Sequence, residues 1–464
     1  MSATSGRPRS WITFACLLFL TSVMAWSGYV QKRPCLQNQW QDAFQYTRHC
    51  YSDIVPLYYA EKLADGAVPY RDHPVEYPVL IGGAMLVASD AARPAEPIER
   101  PRRNYQINVL MLTAGLFAVV ITTGLLGGRR RWDAAMVAVA PVMLVYEFYN
   151  WDLYAMAFAG FGMEAWRRRR PELAGVLFGL GAATKIYPAF LLVALLPLCF
   201  RAGRMRAWYV ASASATAAFV AVNLPIYLNY REGFLEFYRL SRRRGAEIDT
   251  IYYQLGHLTE RFTGGFGKTV HDLVAPNLSG ERHPSALNLI TLLALIVLWS
   301  AIYLIVLRAP TRPRVPQVAF LIVVAFLLVN KVWSPQYALW YLPLGVLALP
   351  RWRMFALWQL LEVSVFIGVM GYLAFWINRD HGVSAGPFFT AVVLRNLMLL
   401  TMAGLIVRDM YRPSRDLVRR DDVDDPAGGV LDGTEDRWPD WWPLRTRAQE
   451  LVPAVPDAAE AARP

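Results

Sequence analysis

Charged residues are scarce in this chain. Only 18% of its 464 residues are charged, while 55% are hydrophobic; average soluble domains carry roughly 25% charge. Charge this sparse cannot cover the surfaces of several soluble domains, and hydrophobicity this high excludes intrinsic disorder for most of the chain. The composition therefore predicts a membrane protein.

Signatures of metal and nucleotide chemistry are also missing. The sequence contains no HExxH or CxxC motif and no glycine-rich phosphate loop. Gly179-Leu180-Gly181 lies inside an apolar segment, where small residues favour helix packing. These absences argue against ATP-driven transport and predict no metal site. No Ser/His/Asp arrangement is readable either, so covalent catalysis is not predicted.

Long apolar blocks make up most of the chain. Several reach the ~20 residues that span ~30 Å of hydrocarbon, and they lack the polar stripe of a soluble helix. The clear blocks are residues 11–30, 105–127, 132–148, 208–227, 286–307, 315–329, 355–376 and 388–407. Together with shorter apolar segments they predict an all-α polytopic protein with about twelve transmembrane helices, in a range of about 11–13.

Arginine clusters between the blocks predict the orientation, because basic loops stay in the cytoplasm. Both termini are then cytoplasmic, and segment 76–90 is re-entrant; a thirteenth span there would place the later clusters outside. Residues 1–410 form the membrane domain, and its extracytoplasmic loops are 31–103, 229–284 and 378–386. The tail, residues 411–464, is predicted to be cytoplasmic, acidic and disordered, with eight Arg and twelve Asp or Glu.

The net charge of +11 does not indicate a nucleic-acid partner. It divides into −4 in the tail and +15 elsewhere (11 + 4), and that excess lies mostly in short loop clusters. Such clusters orient helices and contact anionic membrane lipids.

Polar residues beside apolar blocks are candidate functional groups, since ionisable groups at membrane depth are costly. Two of only five lysines, Lys185 and Lys331, occur at the ends of apolar segments, each a few residues before a proline. Snorkelling to the interface is one explanation, and binding of an anionic ligand such as a phosphate is the other. The remaining candidates are Asp53, His73, Glu76, Tyr77, Trp151, Asp152, Tyr187, Gln336, Tyr337 and His381.

Structural alternatives exist for several of these residues. Asp53 and Asp152 could cap helices, and Glu76 could pair with Arg71. His73 and His381 could bind sugar hydroxyls or be incidental loop residues. Cys35 and Cys50 share the first outer loop, where an oxidising compartment permits a disulfide without requiring one.

The order and spacing of these motifs resemble glycosyltransferase family 87, within the GT-C superfamily of membrane glycosyltransferases. The motifs are residues 51–54, 68–70, 76–80, 150–153, 184–188 and 330–337, and the likeness covers roughly residues 11–408. The resemblance implies a GT-C fold and an inverting transferase. Its substrate would be a polyprenyl-phosphate sugar, with mannose as the family expectation.

The resemblance also implies residue roles. Asp53 is the expected general base, and Lys185, Tyr187 and Lys331 are expected near the donor phosphate. The acceptor or sugar is expected beside Glu76, Tyr77, Trp151, Asp152, Gln336, Tyr337, His73 and His381. Val55 stands where some relatives carry a second Asp, so dependence on a divalent metal is left open, and no cofactor is expected.

The expected reaction transfers the sugar to a glycolipid or polysaccharide acceptor on the extracytoplasmic face of the plasma membrane. A flippase or transporter of lipid-linked sugars is the alternative, although inverted repeats typical of many transporters are not readable. A structural assembly partner is a third hypothesis, which predicts no sensitivity at Asp53 or Lys185.

Overall fold

The fold is built from helices. A computed structural model describes residues 10–38, 40, 43–259, 285–421 and 424–436. No strand occurs within these ranges; the only extended pairing there is an isolated bridge between Pro69 and His73. The expectation of an all-α fold is therefore confirmed.

Eighteen α-helices, numbered in chain order, occur in the described ranges. They are α1 Ser10–Asn38, α2 Phe44–Thr47, α3 Ile54–Ala60, α4 Val79–Ala92, α5 Arg100–Leu126, α6 Ala135–Ala138, α7 Pro141–Tyr146, α8 Asp152–Arg167, α9 Pro171–Ala182, α10 Phe190–Arg201, α11 Met205–Asn229, α12 Arg231–Arg243, α13 Ile251–Thr259, α14 Ser285–Arg308, α15 Val315–Val329, α16 Ala338–Ala348, α17 Trp352–Ile377 and α18 Ala385–Tyr411.

Six of these helices are long and apolar enough to cross a membrane: α1, α5, α11, α14, α17 and α18. Shorter apolar helices accompany them, and the count of about twelve spans stays a prediction. Helix α4, which overlaps the segment expected to be re-entrant and extends two residues beyond it, has 14 residues. At 1.5 Å per residue it is roughly 21 Å long, which is shorter than the ~30 Å hydrocarbon layer.

The core surrounds α15, which is apolar on all sides and buried along nearly its whole length. A helix that is hydrophobic all round belongs inside a bundle. Helices α9 and α11 pack closely because Gly175 and Gly179, four residues apart, lie against the backbone of Ala211 and Ala215. This is the small-residue spacing that lets membrane helices approach each other.

Two short helices separate two polar regions of the molecule. Helix α10 begins five residues after Lys185 and ends at Arg201, and α15 begins just after Arg314 and ends two residues before Lys331. Each helix therefore has a lysine region at one end and an arginine at the other. The lysine motifs and these arginines therefore lie at opposite ends of the same helices.

The structure differs from the expectation of disorder in the described part of the tail. Asp416, Ala427 and Leu431 are buried there, and Asp416 pairs with Arg314. A second tail carboxylate, Asp436, pairs with Arg201 and Arg312. Composition suggested disorder because the number of acidic residues does not show which groups they contact in the fold. Here buried arginines pair with the tail carboxylates. Residues 437–464 of the tail and 260–284 of the second loop lie outside the described residues.

Candidate active site

Asp53 lies at the start of α3, three residues after the disulfide-bonded Cys50. Cys35 and Cys50 form that disulfide, with 5.7 Å between their Cα atoms. It ties the end of α1 to the chain just before Tyr51. The Asp53 side chain makes no capping hydrogen bond to α3, so the helix-cap alternative is wrong. Its carboxylate is thereby left for contacts with other groups.

Two side chains hold the half-buried Asp53 carboxylate. The Tyr51 hydroxyl donates to Oδ1 at 2.6 Å, and the Asn150 amide donates to Oδ2 at 2.6 Å. The Asp53 backbone N–H donates to the carbonyl of Tyr149 at 2.8 Å. Segment 51–53 is therefore joined to the turn at residues 149–150, and both carboxylate oxygens have a defined direction.

Asn150 connects Asp53 to the segment around Tyr77. Its amide also donates to the Tyr77 hydroxyl at 2.8 Å, and its Oδ1 accepts the N–H of Trp151 at 2.6 Å. Trp151 is buried, packs edge-on against Tyr77, and donates from Nε1 to Asn108 at 2.7 Å. Asn150 belongs to the sequence motif 150–153 but was assigned no role there, because an amide in a turn carries no sign of its partners.

Lys185 lies in the break between α9 and α10, where Pro188 lacks the N–H that a continuous helix requires. Its ammonium is 3.8 Å from Asp152 Oδ1 and 4.9 Å from the ring centre of Tyr77. The side chain is only 11% exposed, so snorkelling to the interface does not describe it. Lys185 is instead a partly satisfied cation among carboxylate and aromatic groups.

An aromatic stack supports this cation. Trp340 donates from Nε1 to Asp152 Oδ1 at 2.7 Å, and its ring stacks between Tyr187 and Tyr337 at 4.9 and 4.0 Å. Asp152 is buried, and its Oδ2 has no hydrogen-bond partner in the described residues. We call Asp53, Tyr77, Asn150, Asp152 and Lys185 the Asp53 cluster.

Arg244 is a component that the sequence analysis missed. It follows α12, and its guanidinium contacts Glu76 at 2.9 Å and Glu247 at 3.4 Å. Glu76 therefore pairs with Arg244, and the alternative pairing with Arg71 is wrong; Arg71 contacts Asp72 instead. Arg244 interacts electrostatically with both Tyr77 and Tyr337, which places it beside the Asp53 cluster. Within the run Arg242–Arg244 no sequence signal distinguishes it.

Lys331 occupies a different position from the one expected. Its ammonium donates to the carbonyls of Arg242, at 3.1 Å, and of Arg244. The backbone carbonyl of Lys331 accepts the N–H of Glu247 at 2.9 Å. Burial and the nearby Arg244 charge lower the pKa of Lys331 to about 8. Lys331 therefore holds the loop that presents Arg244, and its ammonium is largely used in doing so.

The remaining sequence candidates differ in whether they contact the surroundings of the Asp53 cluster. His73 lies 3.6 Å from Glu61, whose pKa is raised to about 7 by burial, and Glu61 accepts the N–H of Glu76 at 3.3 Å. Gln336 is buried, and its Oε1 has no partner among the described residues. His381 lies in the exposed loop between α17 and α18 and has no described contact with the Asp53 cluster.

The electrostatics of Asp53 suit proton transfer. Burial raises the pKa of its carboxyl, and the hydrogen bonds from Tyr51 and Asn150 and the charge of Lys185 oppose that shift. The net effect is a raised pKa of Asp53, which brings it closer to the pKa that makes a carboxylate an effective general base at neutral pH. Among the described residues, no three His, Cys, Asp or Glu side chains are arranged to hold a metal ion.

Together these features define a polytopic helical membrane protein with a carboxylate, two cations and aromatic side chains at the ends of its short helices. The profile of glycosyltransferase family 87 matches residues 104–335, half of the chain. The protein therefore belongs to glycosyltransferase family 87, as the motifs suggested. The matched range includes Asn150, Lys185, Arg244 and Lys331, and begins after Asp53. Comparison with curated protein sequences finds no match.

Proposed function

We propose that this glycosyltransferase moves a sugar, with mannose as the first candidate, from a polyprenyl-phosphate donor to a lipid or glycolipid acceptor. The reaction takes place on the extracytoplasmic face of the plasma membrane, and the anomeric configuration inverts. The observation that carries this proposal is the link from Asp53 through Asn150 and Tyr77 to Lys185. It joins a candidate base to a candidate phosphate-binding cation.

In the proposed reaction Asp53 removes the proton from an acceptor hydroxyl as its oxygen bonds to the anomeric carbon of the sugar. The bond from that carbon to the phosphate oxygen breaks at the same time, and polyprenyl phosphate leaves. Attack from the side opposite the phosphate inverts the anomeric centre. The proton remains on Asp53 until solvent removes it, so no covalent enzyme intermediate is formed.

Lys185 and Arg244 stabilise the charge that develops on the leaving phosphate. Lys185 is suited to this role because its closest carboxylate oxygen is 3.8 Å away, beyond a direct hydrogen bond. Arg244 is 41% exposed at its side chain and bridges two glutamates that can yield to a phosphate. Lys331 acts as a positioning residue through the Arg242 and Arg244 carbonyls. We propose that Tyr187 supports the phosphate site by stacking on Trp340.

The test measures sugar transfer by membranes that contain the wild type or Asp53→Asn. The substrates are radiolabelled polyprenyl-phosphomannose and a lipid extract. Loss of a general base lowers rates by roughly 10²–10⁴-fold, and we expect a loss in that range. Asp72→Asn, which changes an exposed carboxylate of the same loop, is the matched control and should transfer normally.

Undiminished product formation by Asp53→Asn would contradict the role of the base. A flippase makes a different prediction: labelled donor crosses the membrane without forming a new glycoside, and Asp53→Asn leaves that movement unchanged. An assembly partner predicts that neither measurement responds to Asp53→Asn.

A further inference from the structure

A second group of buried polar atoms lies near the Asp53 cluster. Asp249, in the loop before α13, is 1% exposed, Arg395 of α18 is 0% exposed, and Trp333 is 1% exposed. The Arg395 guanidinium lies 3.8 Å from the ring centre of Trp333 and donates to the backbone carbonyl of Asp249 at 3.4 Å. Three separate parts of the chain thus meet at Arg395.

Four polar atoms of this group have no hydrogen-bond partner in the part of the chain that the structure describes. They are Arg395 Nη1, Trp333 Nε1 and both carboxylate oxygens of Asp249. Folded proteins satisfy nearly all buried polar atoms, because an unmade bond costs the full desolvation of the group. Two donors and two acceptors in one buried group therefore suit a ligand that both donates and accepts hydrogen bonds.

The mixture of atoms identifies the chemistry of that molecule. A phosphate offers only acceptor oxygens near neutral pH. Burial raises the pKa of Asp249 to about 8, but even a protonated Asp249 keeps one oxygen that can only accept, and a phosphate gives that oxygen no donor. A sugar hydroxyl both donates and accepts, and can bond to Asp249 while accepting from Arg395 or Trp333. The requirement is met by a neutral polyol.

The position of the group indicates which polyol it takes. Asp249 interacts electrostatically with Arg395, Glu247 and Glu362, and Glu247 in turn interacts with Asp53. Lys185, the candidate cation for the donor phosphate, interacts with Asp53 and Asp152 instead. Glu247 therefore lies electrostatically between Asp249 and Asp53, whereas Lys185 interacts with Asp53 directly.

We propose that Asp249, Arg395 and Trp333 form a binding site for a neutral polyol, the saccharide part of the acceptor. The identification of this polyol as the acceptor rests on the proposed glycosyltransferase reaction, whereas the argument for polyol binding rests on the unpartnered atoms. In the proposed reaction, a sugar held there presents one of its hydroxyls to Asp53 as the nucleophile.

The first test measures equilibrium binding of radiolabelled octyl glycosides to the full chain in detergent. The probes are the octyl glycosides of mannose, glucose, galactose and arabinose. We expect the wild type to bind at least one of them and Asp249→Asn to bind it roughly tenfold or more weakly, as for loss of charged hydrogen bonds. Trp333→Phe keeps the ring, removes one neutral donor, and should weaken binding roughly threefold.

Matched controls are Asp380→Asn, in the exposed loop before α18, and Trp376→Phe, which alters a half-exposed tryptophan. Both should bind the probes as the wild type does. The site is overturned if the wild type binds none of the four glycosides, or if both Asp249→Asn and Trp333→Phe bind as tightly as the controls. Two variants keep the test decisive if one of them does not fold.

A transfer assay separates this proposal from the proposed reaction. Asp249→Asn should raise the KM for the acceptor roughly tenfold and leave the KM for polyprenyl-phosphomannose unchanged. If the wild type transfers no sugar but the variants lose glycoside binding, the reaction is wrong and the polyol site stands. If Asp53→Asn abolishes transfer while Asp249→Asn keeps the wild-type KM for acceptor, the reaction stands and the acceptor site is wrong.

Discussion

Two charged clusters of this protein differ in how completely their charges are paired. The first, which we call the arginine–aspartate cluster, consists of Arg201, Arg312, Arg314, Asp416 and Asp436. Arg314 donates to both oxygens of Asp416 and to the carbonyls of Leu347 and Ala348, at 2.8–3.1 Å. In the Asp53 cluster the ammonium of Lys185 comes no closer than 3.8 Å to Asp152, whose Oδ2 has no described partner.

This difference separates structural charges from candidate functional ones. A buried charge whose hydrogen bonds are all made is committed to the fold, and its removal leaves the partner charge uncompensated. A buried charge that makes only some of its possible hydrogen bonds destabilises the fold. Such a charge is typical of a functional site, where a ligand supplies the remaining hydrogen bonds. Variants in the two clusters should therefore affect different measurements.

The largest expected effect is on stability, in the arginine–aspartate cluster. Arg314→Met leaves Asp416 buried without its cation, and breaking such a pair costs about 3–5 kcal/mol. The measurement is the thermal unfolding midpoint in detergent, with Arg353→Met, which removes an exposed arginine, as the control. Transfer per folded molecule should stay normal. An unchanged midpoint would mean that complete pairing does not indicate a structural role.

The double variant Arg314→Met with Asp416→Leu refines this prediction. Replacing both charges removes the uncompensated carboxylate, so part of the lost stability should return. A double variant that is less stable than Arg314→Met alone would contradict the explanation.

The next largest effect is on activity, in the Asp53 cluster. Lys185→Met removes the cation proposed to stabilise the leaving phosphate, and loss of one electrostatic stabiliser lowers rates by about 10²–10³-fold. The thermal midpoint should fall less than half as far as in Arg314→Met. Lys62→Met, at an exposed lysine between α3 and α4, is the control and should transfer normally. A variant that loses stability but transfers normally per folded molecule would place Lys185 with the structural charges.

The smallest effect is on the pH dependence of transfer. The proposed base must be ionised, so the rate falls as the pH drops through the pKa of Asp53, which burial raises above the ordinary aspartate value. Tyr51→Phe removes a hydrogen bond that lowers this pKa, so the pKa should rise further. The acid limb of the rate profile then moves to higher pH by about one unit.

The control for that profile is Tyr209→Phe, at an exposed tyrosine of α11, which should leave the acid limb in place. A shift of the limb to lower pH in Tyr51→Phe would contradict the assignment of the limb to Asp53.

The fold class and the family could be read from the sequence because both depend on local patterns. Apolar blocks without a polar stripe predict membrane helices wherever they occur, and the Lys-Ile-Tyr-Pro segment predicts a helix break from its own residues. Asp53 and Lys185 could be singled out for a similar reason, since a charge beside an apolar block is costly at any position in the fold.

Pairing between distant residues could not be read in this way. Arg244 looks like its neighbours in a run of arginines, and only the contact with Glu76, 168 positions earlier, distinguishes it. Lys331 resembled Lys185 in sequence, but its ammonium binds two backbone carbonyls. The expected disorder of the described tail failed for the same reason, because its aspartates pair with arginines more than a hundred positions away.

The sequence by itself thus determined that this chain is a helical membrane protein with polar motifs of glycosyltransferase family 87. Hydrophobic burial and the cost of a charge in an apolar setting act residue by residue, so they are visible in the order of the amino acids. The tertiary structure alone decided which charges are closely paired and which are only partly paired. Hydrogen bonds and ion pairs require two groups at about 3 Å, and only the folded chain brings such groups together.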